Sequence, residues 1–246
     1  MKITPQSIVG DIVARNYKTA DIFRGNRIDF FCEGQQTLEE AYQRRNGTLS
    51  GIQSLVQELH DFFMENDTEE VDFRTWPLDR LVDHIETKHH AYVERRIPLI
   101  KEHLNLIITE HGKEHPELVT IHDIFKEASG QLAMHMKKEE LILFPYIRKM
   151  AAALREQQPL VPPPFGTIKN PIAKMEGEHD FEGEAFERIA VLSRNYSAPE
   201  DADIPYKTAY AMLKEFAGDL QLHIHKENNI LFQRALALEE ELLYKK

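Results

Sequence analysis

The sequence has almost no sulfur for chemistry: one cysteine, Cys32, in 246 residues. An internal disulfide is therefore excluded, as is any zinc site that needs several thiolates. Basic charge is also short. Lysine and arginine number 30 against 41 aspartates and glutamates, a formal net charge of −11, which argues against a nucleic acid or an anionic membrane as partner. No long hydrophobic run is present: the longest uncharged stretch, Gln157 to Ile168, carries four prolines and could not cross a bilayer as a helix. The opening residues MKITPQSIVGDIVARN lack the apolar block of a secretory signal, so a cytoplasmic protein is expected. Strict apolar–polar alternation bounded by Asn-Gly or Asp-Gly turns does not stand out either, which leaves no hairpin to build on. What is plentiful is histidine, 12 residues beside 41 carboxylates. A metal ion in the core of this chain would have nitrogen and oxygen ligands.

Most of the 12 prolines mark helix starts or gaps: Pro5, Pro77, Pro116, Pro171, Pro199 and Pro205, with Pro159 and Pro162 to Pro164 forming a loop. Between them, apolar residues recur at three- and four-residue spacing, as at Leu78, Leu81, Val82 and Ile85. The pattern predicts an all-α protein with helices over about 77–111, 117–156, 169–195 and 204–243, long enough for an up-down-up-down four-helix bundle. Pro98 and Pro145 fall inside two of these helices and should kink them.

Residues 1–66 read as a separate small helical domain, and 73–246 as the bundle. Ile8, Ile12 and Val13 suggest one short helix, and Ala20, Ile22 and Phe23 a second. Thr37 followed by Glu40 has the form of a capping box for a third, Leu38 to Arg45. Asn46-Gly47 should stop it, and Leu49 to Met64 makes a fourth. Acidic residues 65–72 form the expected linker. A unit this small holds little core alone and should pack on the bundle.

The strongest signal is an internal repeat. His135-Met-Lys-Lys-Glu139-Glu-Leu-Ile-Leu-Phe144 matches His223-Ile-His-Lys-Glu227-Asn-Asn-Ile-Leu-Phe232 at a constant offset of 88, with six identities. Residues four apart on a helix lie ~6 Å apart along the axis and ~40° apart around it. Each His and Glu thus projects toward one point, as a metal ion requires. The Ile-Leu-Phe that follows should anchor the same region in the core. One such pair is commonplace on a solvated helix face; two with matched flanks, on the second and fourth helices, are not.

A core site also needs ligands from the first and third helices. The third offers only His179; the first offers His84, His89, His90 and His103, with His111 at its end. Aligning the halves sets His90 against His179 at an offset of 89. His89 lies ~100° around the helix from His90, so the two cannot face one ion. His111 is on the order of 30 Å along the helix from His90, and His122 about 20 Å from His135. His225 points away from His223. Surface or cap positions are expected for His84, His103, His111, His115 and His122.

The resulting set is His90, His135, Glu139, His179, His223 and Glu227, too many for one tetrahedral zinc. Two ions bridged by Glu139 and Glu227 would each have two imidazoles and two carboxylate oxygens. A bridging oxide or hydroxide makes five ligands and leaves one open position on each. Such ligation suits iron over magnesium or calcium and leaves manganese and zinc open. Glu86, Gln131, Glu176 and Asp219, one turn back, are the acceptors expected to orient the imidazoles. A rival set has ferritin-like spacing: Glu86-x-x-His89 and Glu176-x-x-His179 with Glu139 and Glu227. It leaves His135 and His223, which head the repeated motif, idle.

Over nearly its whole length the sequence resembles the RIC (repair of iron centres) di-iron family, also called the ScdA/YtfE family. The bundle motifs KHHAY, HMKKEELILFP, EGEHD and HIHKENNILF are similar to its hemerythrin-type module. SIVGDIVARNYKTADIFRGNRIDFFCEGQQTLEEA is similar to its small cysteine-bearing N-terminal domain. The resemblance implies that His90, His135, Glu139, His179, His223 and Glu227 hold two iron ions per chain. It further implies repair of iron–sulfur clusters damaged by nitrosative or oxidative stress, by donating iron, by reacting with nitric oxide, or both. Reaction with nitric oxide would make the protein a redox enzyme; iron release would make it a metal donor. The alternative is a hemerythrin-like oxygen or nitric-oxide carrier or sensor without turnover. Damaged iron–sulfur proteins are the implied partners, with nitric oxide or dioxygen as small ligands. The N-terminal domain offers a surface for an isologous homodimer. One departure matters: family members carry two adjacent cysteines before the glycine, whereas Asp29-Phe30-Phe31-Cys32-Glu33-Gly34 keeps only the second. Cys32 is then either a lone thiol toward iron or a partner, or an inert half-buried side chain.

Overall fold

The computed structural model describes residues 3–45, 49–65 and 71–244. Among them no β-strand forms; an isolated bridge pairs Ile8 with Thr37. Four helices build the N-terminal unit: α1 (Val9–Arg15), α2 (Thr19–Gly25), α3 (Leu38–Arg44) and α4 (Leu49–Glu65). The capping box is present, with Thr37 Oγ1 accepting from the Glu40 amide and Glu40 accepting from the Thr37 amide. The expected stop at Asn46-Gly47 and most of the 65–72 linker lie outside the described residues.

The bundle consists of four rods. The first runs through α5 (Leu78–His84), a π-helical turn over Ile85–His90, and α6 (Ala91–His111). The second joins α7 (Glu117–Lys138) to α8 (Phe144–Glu156) through a π turn over Glu139–Leu143. The third is the unbroken α9 (Lys169–Leu192). The fourth joins α10 (Ile204–Lys226) to α11 (Phe232–Tyr244) through a π turn over Glu227–Leu231. The end of the first rod packs on the start of the second (α6 on α7), and its start on the second's end (α5 on α8). The two are therefore antiparallel. α9 packs on α7, and α10 on α6.

The three π turns were not legible in the apolar periodicity, and they change the fate of Pro145. The chain is already π-helical as far as Leu143, and Pro145 falls in the first turn of α8, at the junction where the π turn passes back into α-helix. α6 continues through Pro98.

Apolar side chains form three clusters. One fills the half of the bundle around Leu104, Phe125, Ile189 and Phe216. A second fills the other half around Leu81, Ile147, Ile172 and Phe232. The third belongs to the N-terminal unit and centres on Ile12, Phe23, Phe30 and Leu59. The Ile-Leu-Phe segments do not anchor equally. Ile230, Leu231 and Phe232 are all buried, whereas Ile142 is 50% exposed and only Leu143 and Phe144 are buried. The N-terminal unit packs on the fourth rod, with α1 against the π turn that holds Ile230. There Arg24 donates to Gln221, and Asn229 Nδ2 donates to the carbonyls of Phe30 and Phe31. The contact is close: a Cβ on Gly34 would stand 2.6 Å from the Phe30 carbonyl oxygen and from the Asn229 amide.

Candidate metal centre

A layer of polar groups separates the two bundle cores, and all six side chains singled out in the sequence lie in it. His90 closes the first π turn; Glu139 and Glu227 open the other two. Single π turns inside α-helices are frequent at functional sites. His90, His135, His179 and His223 are buried, and so are Glu139 and Glu227. Two sets of ligand-type atoms converge within 4.8 Å: His90, Glu139, His223 and Glu227, and His135, Glu139, His179 and Glu227. The sets share both carboxylates.

The carboxylates sit between the sets. Glu139 Oε2 lies 3.4 Å from Nε2 of both His90 and His135. Glu227 reaches each set with a different oxygen: Oε1 is 2.9 Å from His223 Nε2, and Oε2 is 3.2 Å from His179 Nε2. The imidazoles meet in pairs, with His90 and His223 Nε2 atoms 3.1 Å apart and those of His135 and His179 3.0 Å apart.

Three of the rings are oriented from outside. His90 Nδ1 donates to Glu140 at 2.9 Å, His135 Nδ1 to Glu178 at 3.0 Å, and His179 Nδ1 to Asn228 Oδ1 at 2.8 Å. With the proton fixed on Nδ1, each neutral ring turns a bare Nε2 lone pair inward. Two such lone pairs 3 Å apart repel unless a cation or a proton stands between them. Neither oxygen of Glu139, nor Glu227 Oε2, accepts a hydrogen bond, although both side chains are fully buried. Orphaned acceptors of both kinds, facing one another, are the donor set a cation requires. The residues present fit a metal ion.

The cluster's electrostatics agree. Burial works against a charge on His90 and His135, but Glu139 outweighs it, with Glu227 assisting, and holds both near pKa 10. Burial and mutual repulsion push Glu139 and Glu227 up, and the surrounding imidazoles more than reverse this, so both stay below the usual carboxylate range. Burial dominates at His223 and lowers it to about 4. Protons thus gather where a cation would stand.

The orienting acceptors are not the expected ones. Glu86 is bound by Arg148 at 2.7 Å, and Asp219 accepts from His89 Nδ1 at 3.0 Å. Gln131 is exposed and Glu176 half-buried, and neither bonds a ligand-set histidine. One turn back along the same helix, a side chain cannot reach round its own imidazole; the acceptors come from neighbouring rods. A signal for two of them was present: Glu140 and Asn228 follow the repeated glutamates and are themselves 88 apart. Glu178 precedes His179. His223 Nδ1 has no partner, and its ring is instead stacked on His89, 5.3 Å away at 3°.

The other histidines fall elsewhere. His89 is buried, yet both nitrogens are engaged, Nδ1 by Asp219 and Nε2 by the Lys226 ammonium at 2.7 Å. The ferritin-like set is therefore not brought together. His225 points away from the layer and, at 3.3 Å, donates from Nδ1 to the Phe30 carbonyl. His84, His103, His111, His115 and His122 are half-buried at the periphery.

Cys32 lies against α9, its Sγ 3.5 Å from the carbonyl oxygen of His179. Burial first, and then the charges of Asp29 and Asp180, push the thiol pKa up, the opposite of an activated cysteine. Sequence reasoning missed Glu182, three residues beyond His179. It is 1% exposed, and burial raises its carboxyl to about 7.

A helical bundle with two buried, fused sets of histidine and glutamate across its middle defines a hemerythrin-like cation-binding protein. The sequence bears this out: residues 81–235 match the hemerythrin HHE cation binding domain, and residues 5–61 match a domain described as of unknown function, DUF542. The chain belongs to the hemerythrin HHE family and, through its N-terminal domain and its relatives, to the RIC proteins. It is 32% identical over 215 residues to a Haemophilus influenzae protein named "Probable iron-sulfur cluster repair protein", covering 87% of this chain and 90% of that one. It is 29% identical to the iron-sulfur cluster repair protein YtfE of Citrobacter koseri, over 94% of this chain and 97% of the relative. With the iron-sulfur cluster repair protein ScdA of Staphylococcus epidermidis it shares 24% identity, over 94% and 99% of the two chains. No helix among the described residues is long and apolar enough to cross a membrane.

Proposed function

We propose that this protein repairs damaged iron–sulfur clusters in the cytoplasm, using a centre of two iron ions. His90 and His223 would hold one ion, His135 and His179 the other, with Glu139 and Glu227 bridging. The observation that carries the reading is the sharing of both carboxylates by the two four-residue sets, which a single-ion site does not need. The relatives' names supply the repair role. When bound, the iron pair supplies redox chemistry and labile metal, with nitric oxide or dioxygen as small ligands and damaged iron–sulfur proteins as clients. The chain's own part is to keep the layer dry between two apolar cores and to fix three imidazoles through Glu140, Glu178 and Asn228.

Three experiments test this. Metal content with a visible spectrum after anaerobic purification is expected to give about two irons per chain; one ion, or stoichiometric zinc, counts against it. His90→Ala should lose iron, whereas His89→Ala should keep both ions; the reverse would favour ferritin-like ligation. Incubation with a cluster enzyme damaged by nitric oxide should restore its activity above a free-iron control. Equal recovery in the control removes the donor role.

A further inference from the structure

Away from the central layer, a third group of ligand-type side chains gathers at the end of α6. His111 is the last residue of that helix, on the order of 30 Å along it from His90. One ligand-type atom each from Glu110, His111 and Asp203 lies there within 4.8 Å of the others. Glu110 and His111 belong to the first rod, whereas Asp203 belongs to the connection into the fourth, where it caps α10. Two of the three are held in place by Tyr206, which is fully buried. Asp203 Oδ1 accepts from the Tyr206 amide at 2.9 Å, which leaves Oδ2 to face the imidazole. The His111 ring stands edge-on to the Tyr206 ring, 5.5 Å away at 67°.

The neighbouring His115 decides how His111 is to be read. It packs on the same tyrosine, 5.4 Å away at 76°, and its Nε2 is hydrogen-bonded to Asp201 Oδ2 at 3.3 Å. That is an ordinary His–Asp pair. His111 Nε2 lies nearer to its aspartate, 3.2 Å from Asp203 Oδ2, yet without the alignment of a hydrogen bond, and it is closed to water. A nitrogen that neither bonds its neighbour nor meets solvent lacks a ligand. Among the described residues, neither Glu110 nor Asp203 forms an ion pair with a lysine or arginine. One imidazole nitrogen and two carboxylate oxygens directed at one point suit a divalent transition metal; the imidazole disfavours magnesium and calcium.

We propose that Glu110, His111 and Asp203 bind a single divalent ion of the zinc class, with water completing its coordination. This site is separate from the central layer and does not rest on the two-ion reading. It ties the end of the first rod to the entry of the fourth, which pack together through α6 and α10. Glu110 is exposed, so the ion is reached from solvent and exchanges with it.

The test uses the full chain as purified, zinc chloride alone as the probe, and the variants Glu110→Gln, His111→Gln and Asp203→Asn, with His115→Gln for comparison. Asp203→Asn keeps an acceptor for the α10 cap and Glu110 is exposed, so both variants should fold. Iron and zinc are counted before and after equilibrium dialysis over a series of free zinc concentrations, and zinc bound beyond any iron released is the reading. Whatever the central layer takes up is common to all the proteins and cancels between them. The wild type is expected to bind about one equivalent that each of the three variants binds at least ~10-fold more weakly, since losing a ligand costs no less than losing a partner that orients one. His115→Gln should bind as the wild type does. Zinc should also raise the melting temperature of the wild type more than that of Glu110→Gln. Unchanged zinc uptake in Glu110→Gln or in Asp203→Asn overturns the assignment, and so does an equal loss in His115→Gln.

Discussion

Asn228 and His179 are joined by a 2.8 Å hydrogen bond from the imidazole Nδ1 to the amide Oδ1, and the other end of that amide is held by the N-terminal unit. Its Nδ2 donates to the Phe31 carbonyl at 3.3 Å, which settles which way the amide faces. Docking of the small domain therefore orients a candidate metal ligand through one side chain. Asn228→Ala is expected to weaken metal binding by about 10–100-fold. Asn228→Asp, which keeps an acceptor for His179, should lose far less. Equal losses in a competition titration would show that orientation is not what Asn228 contributes.

Cys32 also touches His179, through the carbonyl oxygen. With its pKa pushed up by burial, it is expected to react with a thiol reagent at least ~100-fold more slowly in the native protein than in urea. Prompt labelling of the folded chain would mean that the contact opens readily.

Metal and protons compete for the central layer. His90 and His135 hold their extra protons up to about pH 10 in the metal-free cluster. An ion pair entering at pH 7 must displace both, so apparent affinity should rise with pH and fall about tenfold per displaced proton for each unit of acidification. Calorimetry in buffers of different ionisation heat should register the release of about two protons. A release near zero would show that the cluster carries no such protons.

His225 gives a dependence of the same sign, in folding stability. Burial lowers its pKa to about 3 from 6.5. Because the folded value lies below the unfolded one, its contribution is complete above about pH 6.5. It is lost as pH falls toward 3, where the unfolded chain alone takes up the proton. At pH 5 the loss is about 2 kcal/mol. His225→Gln should flatten the fall in melting temperature between pH 7 and 5; the other histidines titrate in both proteins and cancel in the difference. A parallel fall in both would remove His225 from the account.

Much of this was readable in advance. Apolar spacing and proline punctuation located the rods, and Thr37 with Glu40 located a cap. The six clustered residues followed from a repeat and from helix geometry. What was not readable depends on contacts between rods. The imidazole acceptors Glu140, Glu178 and Asn228 sit on neighbouring helices, and the 88-residue offset of Glu140 and Asn228 does not say which imidazole each one meets. The π turns insert a residue without any apolar signature. Glu182 looks like any surface glutamate until Phe31 and Cys32 are laid over its helix. The unequal burial of Ile142 and Ile230, identical in the repeat, likewise leaves no mark in the sequence spacing.

The two apolar clusters of the bundle never merge, because the histidine–glutamate layer passes between them. Mechanically, the long bundle is two short ones set end to end, each too small to be very stable alone. The N-terminal unit rests on this joint, against the π turn of the fourth rod. A metal ion bound in this joint would tie the two halves together at the very place where the small domain docks.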